Sequence, residues 1–275
     1  MIDGSNDEVG DDTREIAVLE AGQLVLKRFR VSVVIPAVNE AANLEYVIPR
    51  MPTWVHELIL VDGDSVDGTV ATARALWPNV IVVDQPGRGK GDALRAGFAV
   101  ATGDIIVMLD ADGSTDPAEM PIFVGALLAG ADLAKGSRFA QGGHSEDITL
   151  VRRIGNLAFT LLTKVVFRNR CTDLCYGYNA FWRDKLAMLR LDADGFEFEA
   201  MLNLRALRAG LRVVEVPSLE AKRMHGHSRL RTFHDGARVL RTILREARND
   251  RVLTPRQVAL DGADDPELAA ERMGD

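Results

Sequence analysis

The chain has 275 residues, 47% of them hydrophobic, with a formal net charge of −7 and a mean hydropathy of zero, the profile of an ordinary soluble globular protein with a sizeable core. No run of about 18 apolar residues occurs, so no membrane span is expected. The first fifteen residues are acidic and polar, so no signal peptide is expected among them.

The negative average hides an uneven distribution. Up to Glu20 there are seven acids and one Arg, and from Pro255 onward six acids and two Arg. Between them, residues 135–170 hold seven basic residues against two acids, and 218–251 nine against four. The expected division is a flexible acidic segment over 1–29, a main domain over 30–217, a basic loop and amphipathic helix over 218–251, and a disordered acidic tail over 252–275. The basic segments imply an anionic partner, phosphate groups or a membrane surface; nucleic acid is not expected, because no reading motif is present. Cys171 and Cys175, the only cysteines, lack ligand-spaced histidines and read as half-buried thiols of a reducing compartment rather than a zinc site.

In chain order, 31–35 is an apolar strand ended by Pro36, and 40–48 a helix with Asn39 as its cap. A strand over 58–61 leads to the turn Asp62-Gly63-Asp64-Ser65, and a helix over 67–76 follows, with Asp67 or Ser65 capping it. After a strand over 80–83, Gly87-Arg88-Gly89-Lys90-Gly91 opens a helix to residue 101. The run from Ile105 to Leu109 is a buried central strand, and Pro117 starts a helix to residue 128. This alternation predicts an α/β fold, a mainly parallel sheet with helices on both faces. Beyond residue 131 the spacing gives strands over 133–136, 177–182 and 211–216, a Gly-containing loop over 138–149, and helices over 150–167, 196–208 and 231–248.

The central strand ends in Asp110-Ala111-Asp112. Ligands of an open α/β sheet gather beyond the carboxyl ends of its strands. Two carboxylates there repel each other and lose hydration unless something cationic compensates, and hard oxygen ligands suit Mg²⁺ or Mn²⁺ holding a diphosphate. An Asp-x-Asp pair alone is more often a solvated turn. Asp62, also at a strand end, has the placement to accept from a base N–H or a ribose hydroxyl. The Gly-rich turn with Lys90 fits an anion at a helix start and equally a simple tight turn; its Gly-x-Gly-x-Gly spacing is neither the dinucleotide fingerprint, which disfavours an NAD-dependent oxidoreductase, nor a P-loop. Glu197 and Glu199, two apart on one helix, cannot face the same point; Glu199 is the better acceptor-side candidate, against an ordinary surface or helix-start role.

Taken together, the segments at 33–40 (Val-Val-Ile-Pro-Ala-Val-Asn-Glu), 60–69 (Leu-Val-Asp-Gly-Asp-Ser-Val-Asp-Gly-Thr), 87–98 (Gly-Arg-Gly-Lys-Gly-Asp-Ala-Leu-Arg-Ala-Gly-Phe) and 109–117 (Leu-Asp-Ala-Asp-Gly-Ser-Thr-Asp-Pro) resemble glycosyltransferase family 2. The likeness is to its dolichol-phosphate (polyprenyl-phosphate) mannosyltransferase and glucosyltransferase branch. Lys-Gly-Ser-Arg-Phe at 135–139, the stretch 172–181 and His-Gly-His-Ser-Arg-Leu at 225–230 are similar too. The pattern departs at Val38, where an aromatic residue is frequent, and at Asp62-Gly63-Asp64-Ser65, where Asp-Asp-Gly-Ser is commoner.

The resemblance implies a GT-A-type nucleotide-sugar-binding fold over 30–217, Mg²⁺ or Mn²⁺, and inverting transfer from a nucleoside diphosphate sugar to a polyprenyl phosphate. The alternatives are the same chemistry on a soluble hydroxyl acceptor and a non-catalytic nucleotide-sugar-binding module. By resemblance Pro36, Glu40, Asp62 and Asp64 line the nucleoside and Lys90 meets the diphosphate or base; Asp110, Asp112 and Ser114 hold the metal. Asp173 is the implied base for a hydroxyl acceptor, while a phosphate acceptor is already anionic near neutral pH. Arg138, Arg152 and Arg153 fall where relatives bind the lipid phosphate, and His225, His227 and Arg229 in a segment that closes over the donor. The implied setting is cytoplasmic, peripheral at the inner face of a membrane, and self-association is left open.

Overall fold

The computed structural model describes residues 28–248. All but the last two residues of the acidic segment expected over 1–29, the acidic tail expected over 252–275, and the end of the 218–251 segment lie outside the described residues.

Val31–Ala37 (β1) is buried along almost its whole length, as a strand must be when helices cover both faces of its sheet. It pairs in parallel with Glu57–Asp62 (β2) on one side and Ile105–Met108 (β4) on the other. Ile81–Asp84 (β3) extends the sheet beyond β2. Leu133–Ser137 (β5), Asn179–Trp182 (β7) and Val213–Pro217 (β8) complete seven strands in the order β3-β2-β1-β4-β7-β5-β8. Only β7 runs against its neighbours, so the expected mainly parallel sheet holds.

Helices cover both faces. Ala41–Val47 (α1), Thr69–Leu76 (α2) and Met120–Leu128 (α4) pack Leu44, Ala73 and Phe123 against Val33, Ile35, Leu60 and Val107. On the opposite face Lys90–Val100 (α3) and Phe198–Arg208 (α7) pack Leu94, Phe98 and Met201 against Val34, Ile59 and Met108. Alternate residues of one strand thus feed two cores. Leu150–Phe167 (α5) and Thr232–Arg248 (α8) join outside α7, where Val239 and Ile243 meet Ala200 and Leu204. A four-residue helix over Leu186–Leu189 (α6) and a two-residue parallel ladder, His144–Ser145 (β6) with Leu219–Glu220 (β9), interrupt stretches that carry no clear period.

One polar tie joins the starts of β1 and β2, where Ser32 stands opposite Glu57. Ser32, buried in mid-strand, donates to Glu57 at 2.5 Å, and Glu57 also accepts from the backbone of Thr102. Burial works against the Glu57 charge, but these hydrogen bonds outweigh it and hold its pKa low.

Asn39 does not cap α1. It adopts φ 57° and accepts from Val66 N–H at 2.8 Å, while Asp67 reaches over to accept from Ala41 N–H at 3.0 Å. The N-cap of α2 is Gly68 and not the expected Asp67 or Ser65, although Asp67, one residue earlier, accepts from Thr69 N–H, and Ser65 accepts from Asn39 N–H. The loops after β1 and β2 are therefore tied to each other, and the first of them lines a cleft.

Candidate active site

The carboxyl ends of β1 and β4, the turn before α3 and the segments around α5 and α8 enclose a cleft of about 640 Å³. Pro36, Val38 and Glu40 line it from β1, Lys90 from α3, Asp110, Asp112 and Ser114 from β4. Asp62 is buried at the end of β2; Oδ2 accepts from Ser65 N–H, and Oδ1 has no protein partner. Asp64 is an exposed residue at φ 60°, outside the cleft lining.

Each member of the aspartate pair has its own cation. Lys90 Nζ lies 2.6 Å from Asp110 and 2.7 Å from Glu199. Arg223 donates to both Glu40 oxygens, at 2.9 and 3.2 Å, and to Asp112 at 2.9 Å. Repulsion between the two carboxylates is therefore already met by protein charges. Burial penalises the Lys90 ammonium, but Asp110 and Glu199 outweigh that penalty and raise its pKa. Burial, with Asp110 adding to it, raises the pKa of Glu199 despite Lys90. Burial also opposes the Arg223 charge, and Asp112 and Glu40 overcome it. Gly177 permits the close approach: a Cβ there would stand 2.6 Å from an Asp110 oxygen and 2.7 Å from Lys90 Nζ.

Ser114 donates to Asp112 Oδ1 at 2.7 Å, so its oxygen sits beside that carboxylate. Among the described residues no cluster of three His, Cys, Asp or Glu could hold a metal. Two carboxylates and a hydroxyl fit a hard cation that takes its remaining ligands from water and a substrate diphosphate, the usual habit of Mg²⁺. The site suits a metal–diphosphate complex better than a bare ion.

The acceptor side divides the predicted residues. Asp173 does not reach the cleft: it is fully buried and grips Arg138 in two bonds of 2.7 and 3.0 Å, with Asn156 adding a third donor. Burial works against its charge, yet Arg138 prevails and its pKa is lowered. A carboxylate held this way has no free edge for a proton, so the base role implied by resemblance does not match its surroundings. Arg138 lines the cleft but is also paired with Glu220, at 3.1 Å. Arg152 lines it too, held by Leu230 C=O at 3.0 Å and by Ser228, with no carboxylate partner among the described residues. Arg229 stands exposed on the rim. Arg153 points instead over the Phe139 ring, and His225 and His227 lie exposed outside the lining, His225 exchanging backbone bonds with Asn43. The lining also includes the apolar side chains Val151, Phe159, Phe233 and Leu240.

Sequence reasoning missed Arg223. It lies two residues before His225 in the basic segment, and nothing local distinguishes it from Lys222. Glu199 does lie in the first turn of α7, but it is a buried partner of Lys90 and not a surface residue. Cys171 and Cys175 are partly buried free thiols whose pKa values burial pushes up to about 11 and about 12, so they stay protonated and inert.

Asp173→Asn should therefore reveal a structural residue. Leaving the buried Arg138 short of its partner is expected to cost about 3–5 kcal/mol in urea unfolding. Because the folded pKa is depressed, the wild-type pair contributes fully above about pH 4 and loses that contribution as pH falls through the lowered value. A variant with wild-type stability and an unchanged acid limb would refute this role.

Known proteins place these features together. A family profile described as Glycosyl transferase family 2 matches residues 32–189. The chain is 34% identical over 213 residues to an undecaprenyl-phosphate mannosyltransferase of Micrococcus luteus, covering 73% of this chain and 87% of that protein. It is 34% identical over 215 residues to a polyprenol monophosphomannose synthase of Mycolicibacterium smegmatis, with coverage of 73% and 81%. Among solved structures, glucosyl-3-phosphoglycerate synthase from Mycobacterium tuberculosis, in complex with Mn²⁺, UDP and glucosyl-3-phosphoglycerate, superposes with a TM-score of 0.66 at 27% identity, covering 90% of this chain and 86% of that one. The fold is GT-A and the protein is a glycosyltransferase. With more than half its length matched and its strand-end aspartates in place, the chain belongs to glycosyl transferase family 2.

Proposed function

We propose that the protein transfers a sugar, with inversion, from a nucleoside diphosphate sugar to the phosphate of a polyprenyl phosphate. One observation carries this reading: a single cleft brings together three kinds of lining, the aspartate pair, the cations Arg152 and Arg229, and the apolar side chains Val151, Phe159, Phe233 and Leu240. Diphosphate, phosphate monoester and isoprenoid chain ask for those three surfaces in one site. The relatives named for polyprenyl-phosphate substrates support it.

Pro36 and Glu40, which line the cleft, receive the nucleoside together with Asp62, buried with its Oδ1 unpartnered, and Asp64, which lies outside the lining. Mg²⁺ or Mn²⁺ at Asp110 and Asp112, beside Ser114, would supply neutralisation of charge on the departing diphosphate. Lys90 and Arg223 are the chain's own cations there, free to turn from carboxylate to phosphate. Arg152 and Arg229 orient the acceptor, whose phosphate needs positioning rather than deprotonation. Such an enzyme would work in the cytoplasm at the inner face of a membrane.

Product partition tests the reading. With a labelled panel of sugar nucleotides and Mn²⁺, detergent-dispersed polyprenyl phosphate and a pool of soluble acceptors are offered side by side. Label is expected in the organic phase. Label confined to the aqueous phase as a glycoside would overturn the lipid acceptor, and absence of any turnover or metal-dependent nucleotide binding would overturn the donor chemistry.

A further inference from the structure

Helix α5 is packed inside out. Its buried residues are Asn156, Thr160 and Thr163, all polar, whereas Leu150, Ile154, Leu157, Leu161 and Val165 lie between 59% and 73% exposed. Their spacing of three and four residues sets them in one stripe along the helix. Phe233, in the first turn of α8, is 85% exposed. Soluble proteins rarely leave so continuous an apolar strip in water without something that covers it.

The charges around the strip identify the cover. From Leu150 to Arg170 there are five basic residues, Arg152, Arg153, Lys164, Arg168 and Arg170, and no acid. On α8 the acids Asp235 and Glu246 are buried, while Arg241, Arg245 and Arg248 are exposed beside Leu240 and Leu244. Exposed acids are few here, Asp192 paired with Arg245 at 3.1 Å and Glu146 just ahead of α5, and an apolar strip on which cations outnumber them matches acyl chains beneath anionic headgroups. A second copy meeting this face through a twofold axis would set arginines against arginines. The strip also borders the cleft mouth, which Val151 and Phe159 line from α5 and Phe233 and Leu240 from α8.

We infer that α5, together with the start of α8, is the face by which this chain docks on an anionic phospholipid bilayer, its apolar stripe entering the headgroup region with the cleft mouth against the lipid. The inference builds on the lipid-phosphate acceptor proposed above, since a mouth seated on the bilayer admits an isoprenoid chain that never crosses water. Docking itself requires neither donor nor acceptor.

The full chain is sedimented with vesicles of phosphatidylcholine, and with vesicles that also contain phosphatidylglycerol. Wild type should pellet with the anionic vesicles alone, less so as salt rises. Leu157→Glu combined with Leu161→Glu should lower vesicle partitioning about tenfold or more while leaving the circular dichroism spectrum and metal-dependent sugar-nucleotide hydrolysis unchanged, because neither residue lines the cleft. Wild type that stays in the supernatant, or a double variant that pellets as well as wild type, overturns the docking face. So does a wild-type dimer that light scattering finds split by the same substitutions without vesicle binding, which would assign the strip to a second copy. Transfer to detergent-dispersed polyprenyl phosphate that survives a failed docking test leaves the acceptor reading standing; docking without such transfer does the reverse.

Discussion

Asp110→Asn and Asp112→Asn should each lower glycosyl transfer by more than about a hundredfold, because charge lost opposite a departing diphosphate is lost chiefly in the transition state. The fold should survive both changes. In Asp110→Asn, Lys90 keeps Glu199 at 2.7 Å; in Asp112→Asn, Arg223 keeps Glu40. The check is steady-state kinetics across a metal titration, paired with thermal melting. Either variant turning over at near wild-type rate at low metal would remove that aspartate from the metal site. A collapse in melting temperature would instead make the pair structural.

Lys90→Met is the second large effect, and it should be felt in stability as well as rate. Lys90 is the shared counter-ion of Asp110 and the buried Glu199. Removing it strands a buried carboxylate, a loss of about 3–5 kcal/mol by analogy with other broken buried pairs. The pairing energy follows the usual sign: the raised folded pKa of Lys90 makes its contribution complete below about pH 10 and lost only as pH climbs through the raised value. Adding Glu199→Met to Lys90→Met removes the stranded charge. The double variant should therefore recover most of the stability while remaining catalytically impaired, since Lys90 is still missing from the diphosphate side. Full catalytic recovery would show that Lys90 serves Glu199 alone. A single variant as stable as wild type would show that Glu199 takes up a proton at no cost.

The parts legible in the sequence are those whose causes are local. Val31 to Ile35 and Ile105 to Leu109 announce central strands by apolar, β-branched runs, and both are buried in the sheet. The helix expected over 150–167 has those limits, with Thr149 accepting from Arg152 N–H at its start. The aspartates at the end of the fourth strand and the glycine-rich turn before Lys90 could be assigned to one sheet edge because parallel βα units place all their carboxyl ends together.

Partnership was not legible, because it depends on which distant side chains the packing brings within a few ångströms. The motif containing Asp173 reads as an acceptor-side acid, yet Arg138, 35 residues earlier, and Asn156 enclose it completely. Glu199 has a surface residue's chemistry and a core residue's place, because α7 packs it toward α3, where Lys90 meets it. Asn39 looks like a cap until the second loop supplies Asp67 instead. Arg223 reaches Asp112 across 111 residues. Sequence by itself determined the α/β order, the family and the carboxylate-bearing edge, since periodicity and short motifs are properties of neighbours along the chain. The tertiary structure alone decided which cation serves which carboxylate, and that α5 turns its leucines outward, since an amphipathic helix has the same pattern whichever way its apolar side faces.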